Sequence, residues 1–235
     1  MNILITGASS GLGYGLAKYY LEKGHTVFGI SRSLNKELKA FGNYEFLVQD
    51  VSHFGEIETN FASFLKGVKK LDLVILNAGI LSKIKDLSDT TLDEIKQVMD
   101  INVWANKIII DTLFRQVKTI SQVVAVSSGA SVSGARGWNA YSLSKATLNM
   151  LVNLYAKEKT GTHFCALAPG LIQTKMQDYV YSVEEEEKFP VVKKLKNAFG
   201  TSQMPNPAEA AKIVAEGIEK ASNFESGMYL DVRKM

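Results

Sequence analysis

Seven short runs of apolar, β-branched or aromatic residues recur along the chain: NILIT (2–6), TVFGI (26–30), YEFLV (44–48), LDLVIL (71–76), QVVAVS (122–127), THFCALA (162–168) and GMYLDV (227–232). Runs of this length and composition read as buried strands. Between most of them the apolar positions fall three and four apart, as in GYGLAKYYLEKG (13–24), which ends on a glycine, and TLDEIKQVMDINVWANKIIIDTLF (91–114). That is the period of a helix with one face against a core. Strand and helix therefore alternate. Such alternation predicts a doubly wound parallel sheet of about seven strands with helices on both faces, joined by right-handed crossovers. The rhythm breaks between 175 and 206, where VEEEEKFPVVKKLKNAFGTSQMPNP stands instead. Glu184 to Glu187 read as one face of a solvated helix, and the whole segment alternatively as a flap over a site, since long connections in compact domains are often functional.

At 235 residues and 46% hydrophobic content the chain fits one compact domain, with no repeat, low-complexity stretch or Pro/Ser-rich linker to divide it. Its formal charge of +3 is scattered, without the basic run interleaved with aromatics that marks a nucleic-acid surface, so a small-molecule partner is expected. MNILITG lacks the layout of a secretion signal, and no apolar run approaches the ~18 residues needed to cross a bilayer. A cytoplasmic, soluble protein is expected. The one cysteine, Cys165, lies in an apolar run and reads as a buried thiol; no metal site is expected.

After the first strand comes TGASSGLG (6–13), with Gly7, Gly11 and Gly13 leading into a helix. Glycines allow a tight turn and close approach to a ligand, and the free N–H groups of the next helix attract a phosphate. The spacing differs from the general Gly-x-Gly-x-x-Gly fingerprint, so a ligand-free turn remains an alternative. The second strand ends in GISRS, and no Asp or Glu occurs from His25 to Lys36. An acid there would hold a ribose 2′-hydroxyl, whereas Arg32 with Ser31 and Ser33 suits a 2′-phosphate. NADPH is thus preferred over NADH, the alternative being an ordinary exposed arginine.

Four Tyr-x-x-x-Lys pairs occur, at Tyr14/Lys18, Tyr19/Lys23, Tyr141/Lys145 and Tyr155/Lys159, so spacing alone identifies none of them. Their neighbours do. TGASSGLG, QDVS with Asp50 and Val51, NAG (Asn77, Ala78, Gly79), MDINVW with Asn102, VSSGAS with Ser128 thirteen residues before Tyr141, and PGLIQT (169–174) occur in this order over nearly the whole chain. In this the sequence resembles the short-chain dehydrogenase/reductases, a family with a single Rossmann-type domain. The likeness implies that Asn102, Ser128, Tyr141 and Lys145 are catalytic. It further implies that Ser9, Ser10, Leu12, Asp50, Val51, Asn77, Ala78, Gly79, Pro169, Gly170, Leu171, Ile172, Thr174 and Met176 join the glycines, Ser31, Arg32 and Ser33 around the cofactor.

The chemistry so implied is hydride transfer between a nicotinamide and a carbonyl carbon. Tyr141 would be the general acid, Ser128 a donor orienting the carbonyl, Lys145 a cation that holds the nicotinamide ribose, and Asn102 a support for a proton path to Lys145. Bringing a phenol from about 10 to about 7 requires roughly 4 kcal/mol of phenolate stabilisation. A cation about 4 Å away supplies approximately that at an effective dielectric of about 20. GWNAYSLSKATLNML and APGLIQTKMQ resemble most the sepiapterin reductases and bacterial benzil and diketone reductases, which implies an NADPH-dependent carbonyl reductase. On that likeness Asp231 would anchor substrate, the alternative being a structural acid at the strand end, and Trp138 would line the pocket or pack on the flap. A 3-oxoacyl-carrier-protein reductase and a non-catalytic dinucleotide-binding protein are the alternatives. Relatives of this type pair through long helices, and Ile108–Ile110 with Leu148, Leu151 and Leu154 fit a homodimer or homotetramer.

Overall fold

The computed structural model describes residues 1–235. All seven expected strands form: β1 (Asn2–Thr6), β2 (Thr26–Ser31), β3 (Tyr44–Val48), β4 (Lys70–Leu76), β5 (Thr119–Val126), β6 (His163–Ala168) and β7 (Tyr229–Asp231). They pair in parallel in the order β3-β2-β1-β4-β5-β6-β7. The order reverses between β1 and β4, which opens a crevice at the carboxyl ends of these strands where ligands bind in open α/β sheets.

The helices are α1 (Gly11–Glu22), α2 (Phe54–Phe64), α3 (Leu92–Met99), α4 (Ala105–Gln116), α5 (Ala130–Ser133), α6 (Asn139–Glu158), α7 (Lys175–Tyr181), α8 (Pro190–Ala198) and α9 (Pro207–Ala221). One face of the sheet packs on α1 and α9, with Leu16, Leu21, Val214 and Ile218 against Ile3, Ile5 and Val124. The other packs on α2, α4 and α6, with Phe61, Ile109 and Leu148 against Leu4, Val74 and Phe164. Strands covered on both faces must be apolar at every position, which is why they were visible as unbroken runs. No helix is long and apolar enough to cross a membrane.

Two expectations need correction. The segment 91–114 is not one regular helix: α3, started by a Thr91–Glu94 capping box, passes into a wide π-type turn at Asp100–Trp104 before α4. Glu184–Glu187 are not helical either. They form the turn between α7 and α8, because four adjacent carboxylates repel along a helix and Pro190 at the first turn of α8 sets a new start. Lys188, Lys193 and Lys196 pair with Glu185, Glu187 and Glu186. Behind these charges Phe189, Val180, Val192, Leu195 and Met204 form a small core of their own with Ile84 and Trp138.

Candidate active site

The glycine turn is held from below. Thr6 Oγ1 accepts from the backbone N–H groups of Asn77 and Ala78, both at 3.0 Å, and Asn77 Nδ2 donates to the carbonyl of Thr6 at 3.0 Å and to that of Gly7 at 3.3 Å. Asn77 is therefore a strut under the loop. Gly7 and Gly11 have φ of 70° and 56°, which L side chains rarely adopt. A Cβ on Gly13 would lie 2.2 Å from the Gly7 carbonyl oxygen, so the loop closes only with glycine there. Ser10 caps α1 in an extended conformation without spending its hydroxyl on the helix, and no acid stands in the first turn. Leu12 is buried in the core under the turn. These residues fit a dinucleotide pyrophosphate: N–H groups and a positive helix end face a space bordered across from Gly11 by Thr174, 3.3 Å from where a Gly11 Cβ would be.

At the end of β2, Ser31 is buried and donates to the Ser33 carbonyl, while Arg32 is exposed and in no ion pair. The first acid beyond the stretch counted in the sequence, Glu37, is turned onto α1, where Tyr14 and Lys18 both hydrogen-bond to it. Asn35 ties this loop to the glycine turn through the Ser9 carbonyl at 3.1 Å. Asp50 accepts from the N–H and hydroxyl of Ser52, bonds that hold its carboxyl below the usual range; Val51 beside it is buried.

Tyr141 and Lys145 stand one turn apart on α6 and face the end of β5. The Ser128 side chain lies near enough to the Tyr141 phenol to work against the rise in its pKa, and its hydroxyl accepts from the Ala130 N–H at 3.1 Å. Lys145 Nζ donates to the Val126 carbonyl at 2.7 Å and lies 5.7 Å from the centre of the Tyr141 ring. Asn102 sits in the π-type turn and is fully buried; it exchanges bonds with both backbone groups of Ile80 at 2.8 and 2.9 Å and donates to Ser144 Oγ at 2.9 Å. Gly79 leaves the room where these groups meet, since a Cβ there would be 3.0 Å from Asn102 Oδ1 and 3.6 Å from Lys145 Nζ. The four expected catalytic residues thus come together.

Their electrostatics differ from expectation. Burial raises the Tyr141 phenol above its ordinary pKa, with the nearby Ser128 hydroxyl a weaker opposing influence, and burial pushes Lys145 down to about 8. The lysine was expected to draw the phenol toward neutrality. In this arrangement both groups are desolvated and the ammonium is aimed at the Val126 carbonyl, so desolvation prevails.

The other three Tyr/Lys pairs are engaged elsewhere: Tyr14 and Lys18 on Glu37, Lys23 over the Tyr19 ring, and Tyr155 on Asp111 at 2.6 Å. The stretch after β6 carries Pro169 and Gly170, then Leu171 toward the small core of the 175–206 segment, Ile172 in the main core, Thr174 as the cap of α7 and Met176 half-buried in its first turn. Trp138 is buried in the small core that also holds Phe189, its ring centre 6.1 Å from that of Tyr141. Asp231 is not a free anchor: the Arg233 guanidinium binds both its oxygens and holds the carboxyl below its usual range.

Sequence reasoning missed Arg233, and it missed Asn149. The Asn149 amide accepts from Ser127 Oγ at 2.5 Å and donates to Ser131 Oγ at 2.9 Å, and Ser131 donates to the Ser128 carbonyl at 2.7 Å. This chain pins the backbone on both sides of Ser128. Its position two turns beyond Tyr141 on the same helix was the only available signal.

A model of the family described as short chain dehydrogenase matches residues 1–185. The chain belongs to that family of oxidoreductases, which bind nicotinamide dinucleotides. It is 30% identical over 254 residues to a benzil reductase ((S)-benzoin forming) of Saccharomyces cerevisiae, covering 98% of this chain and 96% of the relative. It is 32% identical over 240 residues to a 3-oxoacyl-[acyl-carrier-protein] reductase of Rickettsia bellii, covering 97% and 93%. The crystal structure of a short-chain dehydrogenase/reductase from Saccharomyces cerevisiae superposes with a TM-score of 0.85 at 25% identity, covering 98% of this chain and 95% of the other.

Proposed function

We propose that this chain is an NADPH-dependent carbonyl reductase acting on ketones or vicinal dicarbonyls. The observation that carries the reading is the convergence of Ser128, Tyr141, Lys145 and Asn102 beside a glycine turn fitted to a pyrophosphate. A bound nicotinamide dinucleotide supplies the hydride. The residues of the chain do the rest. Ser128 donates to the substrate oxygen and fixes its orientation. Tyr141, whose raised pKa keeps its proton on the phenol at neutral pH, delivers that proton as charge develops on the oxygen. Lys145, still largely charged at pH 7, stabilises the phenolate left behind and is the group to hold ribose hydroxyls. Asn102 keeps the Gly79–Ile80 backbone open next to it.

The preference for NADPH rests on Arg32, free of ion pairs next to Ser31 and Ser33, and on Glu37 being turned away onto Lys18 and Tyr14. The 175–206 segment acts as a substrate flap, supported by its small core around Trp138 and by Tyr179, whose hydroxyl accepts from the Ile84 N–H at 2.9 Å. Leu143, Met150 and Leu154 form an exposed stripe on α6, with Trp104 exposed at the start of α4, and they support a homodimer or homotetramer through these helices. Cytoplasmic residence belongs to the same reading, in keeping with a single buried thiol, Cys165.

The test is oxidation of NADPH, followed by its near-ultraviolet absorbance, with benzil, sepiapterin, aliphatic diketones and an acetoacetyl thioester, and with NADH beside it. Turnover of diketones with NADPH supports the reading. Turnover confined to the thioester moves it to the carrier-protein reductase that the second relative represents, and cofactor binding without any turnover moves it to a dinucleotide-binding protein. Tyr141→Phe is expected to fold and bind NADPH while turnover drops by about 10²- to 10⁴-fold, the usual contribution of a general acid.

A further inference from the structure

Arg233 follows the last strand, and its side chain reaches back to the loops after Ser128 and after Pro169. Its Nε and Nη2 donate to the two oxygens of Asp231 at 2.8 and 2.5 Å, and its own backbone N–H donates to Oδ1 at 3.0 Å. Asp231 is buried, whereas the Arg233 side chain is 55% exposed. Two glycines locate the guanidinium. A Cβ on Gly129, the residue after Ser128, would lie 3.4 Å from Nη2, and one on Gly170, the residue after Pro169, would lie 3.4 Å from Cδ. The group therefore stands between the serine loop and the loop that follows β6.

The two bonds to Asp231 fix the plane of the guanidinium and use one N–H of Nε and one of Nη2. Nη1 has no acceptor within the protein, so the edge away from Asp231 carries unspent donors. The pair as a whole is close to neutral, and its carboxylate repels an approaching anion. A fixed donor edge of this kind suits an uncharged oxygen better than a carboxylate.

We propose that Arg233 is a specificity-determining residue that donates to the non-reacting oxygen of a vicinal dicarbonyl, while Ser128 and Tyr141 hold the oxygen being reduced. This rests on the reductase reading above and narrows its substrate class. A second carbonyl on the adjacent carbon would satisfy the donors that a simple aldehyde leaves facing water.

The experiment compares kcat/KM with NADPH for 1-phenylpropane-1,2-dione, benzaldehyde and phenylglyoxylate in the wild type, Arg233→Met and Arg233→Lys. The double variant Asp231→Asn/Arg233→Met avoids leaving a buried carboxylate unpaired where the single variant does not fold. In Arg233→Met or the double variant, the preference for the dione over the aldehyde is expected to drop about ten- to a hundredfold, as for loss of a bond to a charged donor. Arg233→Lys, which cannot form the fork, should lose most of the same preference. Equal losses on dione and aldehyde, or an unchanged preference, would overturn the role of Arg233 while leaving the reductase reading intact. A wild type that prefers phenylglyoxylate to the dione would overturn the choice of a neutral acceptor. A wild type that binds NADPH but reduces none of the three overturns the reductase reading and this inference with it.

Discussion

The glycine turn and the 175–206 segment border the same crevice and are built in opposite ways. The turn is backbone packed on backbone: Gly13 lies against the Gly7 carbonyl, Asn77 just after β4 braces the Thr6 and Gly7 carbonyls, and no side chain could be added at Gly13. The segment beyond β6 is side chain packed on side chain, a small core around Phe189 rimmed by exposed ion pairs such as Lys188 with Glu185 and Asp86. Backbone geometry tolerates almost no change, whereas a side-chain core accepts many residues of similar volume. Surface ion pairs of this kind contribute only about 0–1 kcal/mol each. One border of the crevice is suited to a constant ligand, the other to adaptation.

The sharpest way to break this contrast is Gly13→Ala. A methyl group 2.2 Å from a carbonyl oxygen cannot be accommodated without moving the loop. We expect a loss of stability of about 1–3 kcal/mol or more together with loss of the NADPH-induced rise in Tm that the proposed function predicts. Normal NADPH binding by this variant would show the turn to be softer than its packing. Phe189→Ala tests the other side. It removes the fully buried ring that packs with Ile84 over Gly137, and it should raise KM for the proposed carbonyl substrate several-fold while leaving the expected NADPH-induced shift in Tm in place. Equal loss of cofactor binding would mean the two borders are coupled.

The smallest effect lies where the borders meet, at Lys145. Its folded pKa, about 8, is below that of an unfolded lysine, so the unfolded chain binds more protons between about pH 8 and 10.4. Stability from this group therefore rises with pH across that window, and its cost is fully present below it. The raised pKa of Tyr141 opposes this only near and above pH 10. Urea unfolding of Lys145→Met against wild type at pH 7 and pH 9 measures the effect. The variant should gain on the wild type at pH 7 and lose part of that advantage at pH 9; a constant difference would mean that Lys145 is not desolvated.

Much of the fold was legible because its signals are local. Strands covered on both faces must be apolar throughout, so β1 was bounded to the residue; the half-exposed edge strand β3 was bounded too, by its aromatic and β-branched residues, while β5 was read three residues late and one too far. The members of the candidate site could also be listed, from the family resemblance that six ordered motifs carry. Their states could not, since the pKa of Tyr141 and Lys145 depends on burial contributed by distant segments. The π-type turn that holds Asn102 escaped notice because its apolar spacing continues that of the flanking helices. It is drawn open by bonds to Ile80 and Ser144, residues 22 and 42 positions away.

By itself the sequence determined the alternation of buried strands and amphipathic helices, the glycine turn and the tyrosine worth singling out, since each is a property of neighbours along the chain. Only the tertiary structure decided that Asp231 is taken by Arg233, that Glu37 is turned away from Arg32, and that Asn149 braces Ser128. Each of these is a choice of hydrogen-bond partner among several within reach. Short polar side chains pair with whatever folding brings near them, and periodicity carries no record of that.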